Sequence, residues 1–203
     1  MRIARFPSVV GGVVVLAVFV ACRGKERATD STTATASARP AACVEGGGTP
    51  TITAAGVGPV RVCARLSSIS PRCTVRDSSF SLGEGIQENG RVVSFGTSTV
   101  ALIVSDDAAP TIERIIVADS SIRTEAGIGV GKTVGALRAA YGRLCAATGE
   151  GRIVVGVPPL PGVSFGTSAA LRPNAETNPD AIPDSARITG IWVYGGRSVC
   201  GGS

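Results

Sequence analysis

The sequence predicts an α+β fold in two tandem units, each a short helix packed on antiparallel strands. Three observations lead there. The hexapeptide VSFGTS occurs at 93–98 and again at 163–168, an offset of 70 residues. Upstream, VRVCARLSSISPRC (60–73) and IGVGKTVGALRAAY (128–141) stand at an offset of 68, and downstream lie the alternating apolar runs IERIIV (112–117) and ITGIWV (188–193). Three matching stretches in one order point to duplication of a unit of about 70 residues. Composition favours short strands and tight turns, with 27 glycines and only 4% aromatic residues.

From the N-terminus, Arg2 and Arg5 precede an apolar run from Val9 to Ala21, the layout of a secretory signal over residues 1–21. The run is shorter than the ~20 residues a membrane span needs. It ends VFVAC, which resembles a bacterial lipobox, and the resemblance implies cleavage before Cys22 and lipid attachment to its thiol. Phe19 departs from the leucine of that pattern, but it is also bulky for an ordinary signal-peptidase site, the alternative reading. Residues 22–42 are rich in Thr, Ser and Ala and form a lipid-anchored flexible tether. The first unit then spans 43–122 and the second 123–203.

In the second unit Thr133 caps a helix with apolar positions Val134, Leu137 and Tyr141, and Gly142 suits the residue just past its end. Strands follow at Ile153–Val155, Val163–Leu171 and Ile188–Tyr194, rich in β-branched residues and separated by Pro, Gly and Asn. In the first unit the matching helix is Ala64–Ser70, stopped by Pro71, and the strands are Val92–Phe95, Thr99–Val104 and Ile112–Val117.

The stretch GIGVGKTVGALRAAYG (127–142) resembles a motif of small exported bacterial proteins: Gly-x-x-x-Gly-x-Thr, a short amphipathic helix, then Tyr-Gly. It is similar to the repeat unit of the β-lactamase-inhibitory protein and of the small lipoprotein of the barrel-assembly machine. That resemblance implies a helical pair on a small antiparallel sheet, duplicated as in the inhibitor. It names no partner, because the inhibitor's aromatic-rich contact face has little counterpart in a chain with one Trp and two Tyr.

The net charge of +5 belongs mostly to the N-terminal region. Residues 1–21 carry +2 and residues 22–40 another +2, so the remainder, with 14 basic and 13 acidic residues, holds only +1. A near-neutral core has no electrostatic footprint for nucleic acid. Arg23, Lys25 and Arg27 lie where anionic head groups would meet them.

Catalytic and cofactor motifs are scarce. The chain has no histidine, which excludes Ser-His and Cys-His arrangements. Gly131-Lys132-Thr133 imitates the end of a phosphate loop, but Ala126 stands where the first glycine is required, so no nucleotide is expected. No CxxC pair supports zinc, and no metal or other cofactor is expected. Three carboxylate pairs are candidates for hydrolysis: Asp106-Asp107, Glu84 with Glu88, and Asp180 with Asp184. The first reads as a turn and the last as solvated acids of the loop NPDAIPD.

Once Cys22 is set aside for lipid, five cysteines remain. Export makes disulfides the default. Pairing within units predicts Cys145–Cys200, with a second bridge among Cys43, Cys63 and Cys73. The expectation is a non-enzymatic, lipid-anchored envelope protein that binds another envelope protein or a small molecule. Arg23 after the lipidated cysteine suits the outer membrane, facing periplasm or surface. The alternatives are an envelope hydrolase using carboxylates and an inhibitor of a secreted enzyme.

Overall fold

The computed structural model describes residues 49–81, 87–149, 151–170, 178–195 and 199–200. Along these the strands are β1 (Thr51–Thr53), β2 (Gly56–Val57), β3 (Val60–Arg61), β4 (Thr74–Ser81), β5 (Gln87–Phe95), β6 (Ser98–Val104), β7 (Ile112–Val117) and β8 (Arg123–Thr124). Helix α1 (Val134–Tyr141) follows, then β9 (Cys145–Gly149), β10 (Arg152–Gly156), β11 (Val163–Thr167) and β12 (Ile188–Tyr194). Two sheets result: a small one ordered β3-β2-β1-β8, and an eight-stranded one ordered β4-β5-β6-β7-β12-β11-β10-β9. The large sheet is antiparallel throughout. It consists of two meanders that meet where their last strands, β7 and β12, pair through Ile115↔Val193 and Val117↔Ile191.

The expected pair of helix-plus-strand units is therefore corrected to a mostly β fold with one α-helix among the described residues. Among the described residues one hydrophobic core, not two, holds it together. Val93, Leu102, Ile115, Val193, Phe165 and Val155 line one face of the large sheet, each fully buried. Over them lie Ile52, Val57 and Val60 of the small sheet, Ile122 and Ile128, and Val134 and Leu137 of α1. The helical-pair architecture implied by the resemblance is overturned by the same facts.

The repeated hexapeptide fails for a specific physical reason. In the first copy Phe95 pairs with Ser98, so Gly96-Thr97 is a two-residue hairpin turn, and Gly96 takes φ +63°, open to glycine at little cost. In the second copy Val163–Thr167 is one buried strand. There Gly166 makes room: an added Cβ would stand 2.4 Å from Trp192 Cζ3. Identical residues thus serve a turn in one place and a ring contact in the other.

The first expected helix, Ala64–Ser70, is replaced by a single 3-10 turn at Leu66–Ser68. The flanking backbone is engaged across the chain rather than along it. The Cys63 amide donates to Ile112 O (2.7 Å), the Ile112 amide to Ala64 O (2.8 Å) and the Leu66 amide to Pro110 O (2.8 Å). The second helix forms as expected. The Ala136 amide donates to Thr133 Oγ1 at 3.1 Å, and Gly142, at φ +73°, donates its amide to Arg138 O. The expected strands at 92–95, 99–104, 112–117, 153–155 and 188–194 all lie within observed ones, and Val163–Leu171 ends as strand at Thr167.

Candidate functional site

A concavity of about 840 Å³ opens at the C-terminal end of α1. Its walls join Leu144, Ala146, Pro179 and Val199 to the cations Arg138 and Arg143. Two devices hold those walls. The first is the Cys145–Cys200 disulfide, whose Cα atoms stand 5.0 Å apart and which closes a separation of 55 residues. This is the pairing the sequence predicts.

The second is Arg138. From the last turn of the helix its Nε donates to Asp184 Oδ1 at 3.2 Å, its Nη1 to Asp180 Oδ1 at 3.4 Å and its Nη2 to Pro179 O at 3.3 Å. The carboxylate pair Asp180 and Asp184 is thus engaged by one guanidinium and fastens the Pro-rich loop to α1. Both acids are largely exposed, so each contact stabilises by less than about 1 kcal/mol. Arg138 could have been suspected from sequence as the one charged side chain within the helix.

The phosphate-loop imitation at 127–133 leads to a different chemistry. The amides a phosphate would require are already donating: Gly131 to Ile188 O, Val134 to Ala186 O and Gly135 to Asp184 O, at 2.8–3.0 Å. This stretch is the seam that fixes α1 to the start of β12.

The other acids gather at the far end of the large sheet. Glu88, Asp106 and Glu113 line a second cavity of about 280 Å³ with Gln87, Asn89 and Ser105. Among the described residues Glu88 Oε2 is buried there without a hydrogen-bond partner. Asp106-Asp107 lies in the β6–β7 connection, as its turn-like sequence suggests, and Glu84 lies outside the described residues. Glu113 was missed in the sequence because strand alternation alone gives it no role. A register shift beside it, between Ile103 and Val104, turns it towards this end of the sheet. Among the described residues no group of three or more Cys, Asp or Glu is placed to hold a metal ion.

Asp119 was missed as well. Its carboxylate accepts from Ser121 Oγ (2.6 Å), Ser121 N (2.8 Å) and Thr99 N (3.1 Å), tying the segment after β7 to the start of β6. The Ser121 hydroxyl foremost holds its carboxyl below the usual range; burial opposes it, and the Ser121 and Thr99 amides add to the lowering. An Asp-x-Ser triplet in a loop is the signal that marks such a turn.

Cys63 and Cys73 are both disulfide-bonded. Cys22 and Cys43 lie outside the described residues, and with them the lipidation site.

These features define a class: a mostly β domain with one core among the described residues, braced by disulfides, with a concavity beside a covalent bridge. The chain belongs to the family described as Protein of unknown function (DUF1131), whose model matches residues 35–157, from before the small sheet to the end of β10. Among solved structures it is similar to the uncharacterized protein yfeY from Escherichia coli, at 20% identity and a TM-score of 0.48, covering 71% of this chain and 99% of that one. No curated protein matches.

Proposed function

We propose that the protein is a lipid-anchored binding module of the cell envelope, held through Cys22 and without chemistry of its own. The observation that carries the binding part is the cavity at the end of α1. Its volume falls in the range of ligand sites, about 300–1,000 Å³. One wall is held by the Cys145–Cys200 bridge and the Pro-rich loop is fastened weakly by Arg138, which lowers the ordering that binding must supply. The VFVAC sequence and the oxidised cysteines support the envelope setting.

Two measurements test this reading. A fatty-acid analogue fed to cells should label the protein, and Cys22→Ala should remove the label; label persisting in that variant refutes the anchor. A photoreactive residue at Arg143, on the cavity wall, should give a discrete adduct in intact cells that one at Thr99, away from the cavity, does not. Equal adducts from both positions refute the cavity as the binding site.

One observation favours a second reading. The cavity holding Glu88, Asp106 and Glu113 gathers carboxylates in a concave site, as an envelope hydrolase would require. Hydrolysis of envelope polymers abolished by Glu88→Gln and by Glu113→Gln, in variants that remain folded, would establish it. The inhibitor reading loses its support with the tandem fold.

A further inference from the structure

The two ends of the large sheet are unlike. At one end β9 is five residues long, its first residue, Cys145, is bonded to Cys200, and Val199 lies over Gly156 of the neighbouring strand. At the other end β4 runs for eight residues, paired with β5 in unbroken register from Thr74↔Ser94 to Ser81↔Gln87. Natural edges are blunted by proline, bulges, short length, charged side chains or a covering helix or loop, and on β4 the exposed Arg76 is the one such device that is not neutralised within its own sheet among the described residues. β4 has no proline or bulge and is not short. Of its two charges, Asp77 is paired with Arg91 Nε at 2.9 Å. Six of its eight residues are exposed. Alternate backbone N–H and C=O groups along it point away from β5 and offer a ladder.

We propose that β4 is a self-association edge, pairing antiparallel with β4 of a second copy to form a continuous sixteen-stranded sheet. The argument for a second copy is register and charge. A two-fold axis normal to the sheet keeps each face on its own side, so only residues of one face can stand opposite one another. Centred on Arg76 the pairing opposes two arginines, and centred on Asp77 two aspartates, both destabilising. Centred on Ser78, Asp77 faces Ser79, Val75 faces Ser81, and Arg76 faces Phe80 twice by symmetry. Registers centred on Val75 or Ser79 avoid like charges but shorten the overlap within β4.

The Ser78 register repeats a pattern already present on that face of the sheet. Arg114 lies over Tyr194, its direct cross-strand partner, at 5.2 Å, and Arg152 lies over Trp192 at 5.4 Å. Phe80 lies against Gly90, whose added Cβ would stand 2.7 Å from the ring, so the aromatic ring is positioned rather than free. The partner's Arg76 meets a fixed ring.

The test uses the full chain. Sedimentation across concentration should show a monomer–dimer equilibrium. Arg76→Ala, which removes two symmetric contacts, should weaken it about tenfold. Ser78→Lys, which opposes two lysines at the axis, should abolish the dimer while the circular dichroism spectrum is kept. Ser78→Cys should give a disulfide-linked dimer on mild oxidation in cells. Ser81→Cys should not, because the two Ser81 positions stand roughly 20 Å apart along the paired strands. A chain monomeric at all concentrations overturns the proposal, even if a foreign extended peptide is found on β4. So does a dimer indifferent to Ser78→Lys, or cross-linking through Ser81→Cys in preference to Ser78→Cys.

Discussion

Replacing the same glycine in the two copies of VSFGTS should cost different amounts for different reasons. At Gly166 an alanine Cβ would stand 2.4 Å from Trp192 Cζ3 and 2.5 Å from Cη2. Carbon atoms settle at about 3.5–4.0 Å, so the ring must retreat by more than about 1 Å. The ring is also in contact with the Arg152 guanidinium, and Arg152 Cδ stands 3.4 Å from the added Cβ. Overpacking of this kind costs about 1–3 kcal/mol, and disturbing the cation–π contact adds to it, so about 2–3 kcal/mol is expected for Gly166→Ala. At Gly96 nothing lies within 4 Å of an added Cβ, and only the φ of +63° resists substitution. That cost is about 1 kcal/mol. Asparagine, which tolerates positive φ, should recover most of the loss at Gly96 and deepen it at Gly166.

Urea unfolding followed by fluorescence measures this directly, because Trp192 is the only tryptophan in the chain. Gly166→Ala should also shift the native emission of Trp192, while Gly96→Ala should leave it unchanged. In the Trp192→Leu background, where unfolding is followed by circular dichroism because the fluorophore is gone, the cost of Gly166→Ala should fall below about 1 kcal/mol, a coupling that a double-mutant cycle isolates. Equal losses at the two glycines with unchanged emission, or a cost at Gly166 that survives removal of the ring, would refute the account of the second copy.

Removing the Cys145–Cys200 bridge with paired alanine substitutions should lower unfolding free energy in urea by about 2–4 kcal/mol; an unchanged midpoint would count against its bracing role. Asp119 has a lowered carboxyl pKa in the folded chain, so its stabilising effect is full above the unfolded-state value of about 3.9 and fades as pH falls through the lower native value. Wild type and Asp119→Asn should therefore differ in thermal midpoint at neutral pH and converge in strong acid, and a difference that grows on acidification would contradict the hydrogen-bonded carboxylate.

The parts of this fold that were legible in the sequence are those set by local rules. Thr133 and Gly142 bound α1 through capping and a positive φ, and β-branched alternation marks Ile112–Val117 and Ile188–Tyr194. What was not legible depends on partners distant in sequence. Ala64–Ser70 carries a helix-like spacing, yet its amides and carbonyls bind Pro110 and Ile112, some 45 residues on. VSFGTS has one composition and two fates, decided by whether a tryptophan from another strand lies over its glycine. The same holds for the candidate sites. Cys145–Cys200 follows from cysteine placement and export, whereas the gathering of Glu88, Asp106 and Glu113 depends on a register shift that no spacing reveals.

The meeting of β7 and β12 at the centre of the sheet has a consequence for the order in which the chain can acquire its structure. Each meander grows from strands that are neighbours in sequence, through short connections except for the twenty residues, 168–187, between β11 and β12. The seam between them joins Val117 to Ile191, 74 residues later, and so is the slowest contact to close. Until it closes, the strands that end up most interior are exposed margins bearing Ile115 and Val117, competent to pair with any passing strand. A chain emerging N-terminus first presents that margin before its proper partner has been synthesised. The most sheltered pairing in the finished molecule is thus the most vulnerable one during its making, and β7 is the place where a chaperone would have most to protect.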